Sequence, residues 1–216
     1  LALTFIGVFF VSTMFLTVAY AQNGAATLQE LYFFNNEGKK SQLNLAQKVI
    51  VRFRASKTDE EQAVFLNSLG GIGYKKSSIF GGGTFEVSFL PTASSYEMLV
   101  KTEEISRSGV VDAAPVFFVL GREAVIDGAV LLPTTVVSVS FMEKSLKRVF
   151  GDISFFQFTQ KGKEWHVAFS DLFFLQNAKD PLHTLSFVNI LRASRDVSWV
   201  KAVSPNFQFV GNEFTA

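Results

Sequence analysis

The sequence predicts an α+β chain in which one βαββαβ unit is used twice, and three observations lead there. Segments of strict apolar alternation and segments of helical spacing succeed one another in the same order in both halves. Each half closes on a strand with a proline two residues before a phenylalanine, Ala114-Pro115-Val116-Phe117 and Ser204-Pro205-Asn206-Phe207, which argues for duplication. The 25 phenylalanines among 216 residues suggest sheet surfaces packed on at least one face.

In chain order, Leu1 to Ala21 is uncharged and mostly apolar, and it ends in Ala19-Tyr20-Ala21 before Gln22. That small-x-small pattern is what signal peptidase accepts, so residues 1–21 are read as a signal peptide cleaved between Ala21 and Gln22. The stretch is also about as long as a membrane anchor needs to be. No basic cluster comes after it to stop transfer, and the signal peptide is the preferred reading. The chain from Gln22 onward is then exported: secreted, periplasmic or held at the cell surface. An exported chain with no cysteine fits a bacterial source.

Leu31 to Phe34 and Gln42 to Leu45 flank Asn35-Asn36-Glu37-Gly38, which is hairpin-turn chemistry. The first unit, within residues 22–121, then opens on Val49 to Arg54, with apolar residues on one face and arginines on the other. Thr58 and Glu61 form a capping box ahead of a helix carrying Ala63, Val64, Leu66 and Leu69, ended by Gly70-Gly71. Tyr74 to Phe80 and Thr84 to Leu90 are strands on either side of three glycines. A helix from Ser94 to Arg107 and a strand from Val110 to Phe118 complete the order.

The second unit, within residues 122–216, is expected to repeat this. Gly121 to Pro133 reads as a short extended pair matching the first hairpin, and Val136 to Phe141 as the first strand. A short helix spans Glu143 to Phe150, and strands from Ile153 to Thr159 and Glu164 to Ser170 surround Lys161-Gly162. A helix from Leu182 to Ser194 and a closing strand from Ser198 to Phe209 finish it. The fold expected is two tandem ferredoxin-like βαββαβ units, each preceded by a short hairpin, with a boundary near Arg122 and no sheet shared between them.

Composition excludes several functions. Net charge is +1 with a pI near 8.1, below the range expected of a nucleic-acid-binding domain. The absence of cysteine removes thiolate nucleophiles and cysteine metal sites, two histidines leave almost nothing for an imidazole-ligated metal, and no cofactor is expected. His166 lies within an alternating strand and His183 beside Pro181 at a helix start, and no Gly-x-Ser-x-Gly elbow occurs, so no catalysis is expected within this chain. The glycine clusters around residues 70–73 and 81–83 come after a helix and join two strands, which makes them turns rather than phosphate loops. A βαββαβ unit covers one sheet face with its helices. The other face is then left to dock a protein partner or to pack against the neighbouring unit.

The opening Lys48 to Arg54, then Thr58-Asp59-Glu60-Glu61 and a helix ending Leu66-Asn67-Ser68-Leu69-Gly70-Gly71, resembles the start of the propeptides of subtilisin-like serine proteases. Ala202-Val203-Ser204-Pro205-Asn206-Phe207 is similar to their ending, with serine at 204 where those propeptides prefer glutamate. The doubled unit resembles long exported bacterial subtilase precursors. The resemblance implies an inhibitor and intramolecular chaperone whose partner is a subtilisin-like catalytic domain in cis, with no nucleic acid and with the membrane met only through the signal peptide. It places protease contacts at Pro205, Asn206, Phe207 and Phe209. The tail Val210, Gly211, Asn212, Glu213, Phe214, Thr215 and Ala216 would run into the substrate cleft as a product would. Only the second unit reaches that tail, so inhibition is expected of Gly128 to Ala216 and not of Gln22 to Leu120. The alternatives are a stand-alone inhibitor or chaperone acting in trans, a ligand-sensing pair of domains, and a non-catalytic protein-binding module.

Overall fold

The structure is a computed structural model, and it describes residues 31–35, 37–91, 94–154, 156–169, 180–194 and 197–210. The chain is α+β with an antiparallel sheet. Its elements are β1 (Tyr32–Phe34), β2 (Lys40–Gln42), β3 (Asn44–Phe53), α1 (Asp59–Ser68), β4 (Gly73–Lys76), β5 (Thr84–Ser88), α2 (Ser95–Arg107) and β6 (Val111–Val119). Then come β7 (Arg122–Pro133), α3 (Val139–Phe150), β8 (Phe156–Lys161), β9 (Glu164–Phe169), α4 (Asp180–Ala193) and β10 (Val200–Phe209). Residues of the signal-peptide reading, Ala19, Ala21 and Gln22 included, lie outside the described residues.

Local chemistry sets the ends of these elements. Thr58 caps α1 by accepting from the Glu61 amide at 3.2 Å, while the Glu61 carboxylate accepts from the Thr58 amide at 2.9 Å. Those bonds, with Lys57 close by, hold the Glu61 carboxyl below its ordinary range. Ser94 and Ser138 cap α2 and α3 by accepting from the amides of Glu97 and Phe141.

The strand order runs β4-β5-β3-β6-β7-β9-β8, and β10 pairs with the other edge of β7. Within the first run the order is β6-β3-β5-β4, and within the second β10-β7-β9-β8: in each, the first strand lies between the fourth and the third. The two runs nevertheless share a sheet, because β6 and β7 pair directly through Phe117↔Ala124, Phe118↔Glu123 and Val119↔Arg122. This corrects the expectation of separate sheets. The turn between them, Leu120-Gly121, is tight enough to keep the strands paired, with both residues at positive φ (51° and 77°).

The second run is also built differently at its start. No hairpin precedes it among the described residues: Arg122 to Pro133 is one strand, and Val136 to Phe141, expected as a strand, is the approach to α3 and its first turn. The alternation there is misleading because Ser138 turns the chain by capping a helix. Gly128 thus lies inside β7 and marks no boundary. β7 carries a bulge, since Asn206 pairs with Gly128 and Phe207 with Ile126, which leaves Asp127 unpaired. Gly128 takes φ 149°, a backbone angle that side chains disfavour. The extra residue shifts the pleat by one, so that Ala124 and Ile126 before it and Ala129 and Leu131 after it all face the helices.

Two cores lie on that helix face. One gathers Val49, Val51, Leu66, Phe85, Met98 and Phe117, and it extends into the second run through Ile126, Leu185, Phe207 and Phe209. The other holds Leu131, Met142, Leu146, Trp165, Phe187, Val188 and Trp199. The β1–β2 hairpin bridges the runs. The Asn189 side chain of α4 accepts from the Phe34 amide at 3.2 Å and donates to the Tyr32 carbonyl at 3.1 Å, while Phe33 meets Phe207 at 5.4 Å. Both repeat prolines avoid breaking a ladder: β6 pairs with β7 only from Phe117 onward, and β10 pairs only with β7.

Candidate functional site

On the side of the sheet away from the helices, the two runs present two different faces. The first face centres on Ile50 and Val116 at 0 % exposure and Ala114 at 1 %, joined by Ala46 and Val125. It is covered by Ile79 and Phe80 from the loop between β4 and β5 and by Val210, and Phe156 at the start of β8 touches both it and the second core, where its ring lies 4.8 Å from Phe187. Charged side chains frame it. Lys48 Nζ lies 3.0 Å from Glu86 and 2.7 Å from Glu123, Lys75 lies 3.4 Å from Glu86, and Asp112 receives Arg52 and Arg54. Burial works against the Lys48 charge, but its bonds to Glu123 and Glu86 outweigh that and hold its pKa above the usual lysine range.

The second face is built from rows set by the register. Ser204, Val130, His166 and Thr159 lie side by side across β10, β7, β9 and β8. Asn206 and Gly128 form the next row, and Ala202 and Leu132 the row on the other side. Its side chains are a mixture of apolar and polar ones, and Val130, Leu132, Ala202, Ser204 and His166 are half-buried, none of them covered as Ile50 is. The result is an uncovered platform. At its inner border the Asp127 carboxylate, freed by the bulge, accepts from Asn206 Nδ2 at 2.6 Å and Gln208 Nε2 at 2.9 Å. Burial raises the Asp127 pKa, and the two amides and the nearby His166 only partly offset it.

The structure places the expected contact residues on both sides of β10. Pro205 is buried, Phe207 packs on Phe33 at the first core, and Phe209 lies beneath the Arg122 guanidinium at 4.1 Å. Val210 packs into the covered face and its amide donates to the Glu123 carbonyl at 2.8 Å. These four side chains serve the chain's own packing, and Asn206 is the one of the five turned to the platform. Gly211, Asn212, Glu213, Phe214, Thr215 and Ala216 lie outside the described residues. The free edge of β10 is closed partway along, where Arg192 Nε and Nη2 both donate to the Val203 carbonyl at 3.0 and 2.8 Å.

Sequence reasoning missed Asp127, Ile79 and Phe80 as determinants of these faces. A polar residue interrupting an apolar alternation beside glycine was the signal for the first. Two large apolar residues in a glycine-rich loop were the signal for the next pair. His183 lies in the first turn of α4, on a different element from His166. Among the described residues no group of three or more histidine, aspartate or glutamate side chains is placed to hold a metal ion. No family model matches the chain, and no curated protein matches it.

Proposed function

We propose that this chain is the propeptide region of an exported subtilisin-like serine protease, built as two tandem ferredoxin-like units, which assists folding of the catalytic domain and blocks its active site until cleaved. The strand order of each run, with the first strand between the fourth and third, supports the ferredoxin-like reading. The observation that carries the functional reading is the open platform of the second run. It is uncovered, mixes half-buried apolar and polar side chains, and includes the strand that leads directly to residues 211–216. Such a surface admits the close approach of a folded partner, with apolar burial at Val130 and Leu132 and hydrogen-bonding groups at Ser204 and Asn206. The first face is already filled from within the chain, so docking falls to the second run.

The reading is tested by mixing the chain from Gln22 with a subtilisin-like catalytic domain and measuring peptide hydrolysis and binding. Inhibition is expected. Ser204→Arg, which sets a bulky charge on the platform, should weaken binding at least about tenfold, as a disrupted central contact does. Removing residues 211–216 should weaken inhibition sharply and leave measurable docking. Absence of inhibition, or indifference to both changes, overturns the proposal. Because β7 is shared, the first run and the second are compared by substitution within the whole chain and not by cutting at Gly128.

A further inference from the structure

The surface of α3 bears a feature independent of the protease reading. Val136, in the approach to the helix, is 96 % exposed, Phe141 is 50 % exposed and Val139 is 39 % exposed. Met142 and Leu146 turn inward to the second core, so helical spacing sets Lys144 and Arg148 along the opposite, outer line, with Lys147 on one flank and Phe141 on the other, its half-exposed ring meeting Trp199 edge-to-face at 5.9 Å. Lys144, Lys147 and Arg148 are all exposed, and Lys144 and Arg148 take no ion pair among the described residues. Glu143 on the flank and Asp152 just past the helix, which attracts Lys147, are the nearby acids. The first run has the reverse: α1 carries Asp59, Glu60 and Glu61 in its first turn.

We propose that the Thr134–Ser138 approach and the outer line of α3 form a contact site for an anionic lipid surface. The exposed valine and phenylalanine would enter the headgroup boundary, and the three cations would face the lipid phosphates. Charge selects the occupant, because a basic line below an apolar tip matches a negatively charged bilayer, whereas the acidic first turn of α1 would be repelled. No described helix is long and apolar enough to cross a membrane, and the contact proposed is a peripheral one. It also lies on the helix side of the sheet, which leaves the platform on the other side free. The family resemblance brings this chain to a membrane only through its leader; this site would hold it there after the leader is gone.

The test uses the chain from Gln22, which contains every described residue and lacks the apolar leader. Co-sedimentation is measured with vesicles of phosphatidylcholine alone and of phosphatidylcholine mixed with phosphatidylglycerol. Binding is expected to the mixed vesicles and to fall with added salt. The double variant Lys144→Glu/Arg148→Glu should reduce partitioning by roughly tenfold or more. Val136→Asp, at a solvated position where the fold has nothing to lose, should also reduce it severalfold. Val136→Trp should bind more tightly and show a blue-shifted emission on the mixed vesicles. Equal binding to both vesicle types overturns the proposal. So does loss of binding on charge reversal with no response to either Val136 change, which would describe a general polyanion patch.

Discussion

The two outward sheet faces share a strand order and differ in what lies over them. On the first, Ile50, Val116 and Val125 are at 0 % exposure beneath Ile79, Phe80 and Val210. On the second, Val130 and Leu132 are half-buried and bordered by Ser204 and Ala202. The cause is the length of one connection. Between β4 and β5 the chain has residues 77–83 available, enough to fold Ile79 and Phe80 back over the sheet, with Gly81 and Gly83 at positive φ making the return. Between β8 and β9 it has only Gly162 and Lys163, which close a tight hairpin and reach nothing. A loop a few residues longer thus turns an open face into core.

The largest expected difference between the faces is in stability. Ile50→Ala should cost about 2 to 5 kcal/mol in urea unfolding, as fully buried isoleucines do. Val130→Ala should cost less than about 1 kcal/mol, because a half-buried side chain gives up little burial. Equal losses would break the comparison. Next in size, Ile79→Ser/Phe80→Ser should remove the cover and cost about 2 kcal/mol or more from lost apolar burial. It should also raise binding of a hydrophobic dye, with no such rise for Val130→Ser.

A smaller contrast sits at the helix starts. Thr58→Ala breaks a reciprocal box and should lower stability by about 1 kcal/mol, while Ser138→Ala removes a single bond and should cost less. The subtlest is visible only against pH. Burial raises the Asp127 pKa in the folded state, so its charge opposes folding: the associated stability is full below the ordinary aspartate range and is lost as pH rises through the raised value. Asp127→Asn should therefore be more stable than the parent at neutral pH, with the gap closing under acid. A gap that grew in acid would mean that the bonds from Asn206 and Gln208 outweigh burial.

Much of this was readable from residue pattern, because the local rules and the tertiary structure agree there. The Thr58–Glu61 box, the α2 span from Ser94 to Arg107, and the β8–β9 hairpin all lie close to where residue pattern puts them. The second run's first strand is displaced from its expected place for a physical reason. Asp127-Gly128 interrupts β7 with a bulge, so period-two counting splits one long strand in two, and the alternation of Val136 to Phe141 then looks like the missing strand. The candidate site was legible in part. Pro205 to Phe209 belong to a closing strand, as their pattern suggests, yet no local pattern reveals that Phe207 and Phe209 fill the first run's core or that Ile79 and Phe80 seal its outer face.

β10 fixes when the molecule can close. Phe207 and Phe209 belong to a core whose other members begin at Leu31, and Val203 belongs to the second core, so the last described strand completes both. A chain emerging amino terminus first from a ribosome holds the first run's helices and strands long before it holds the residue that seats against Phe33. Loop closure over that separation is slow, and until it happens β7 has an unpaired edge along nearly its whole length. Neither core of such a chain can lock until β10 is present, so its assembly is paced by the strand made last among the described elements.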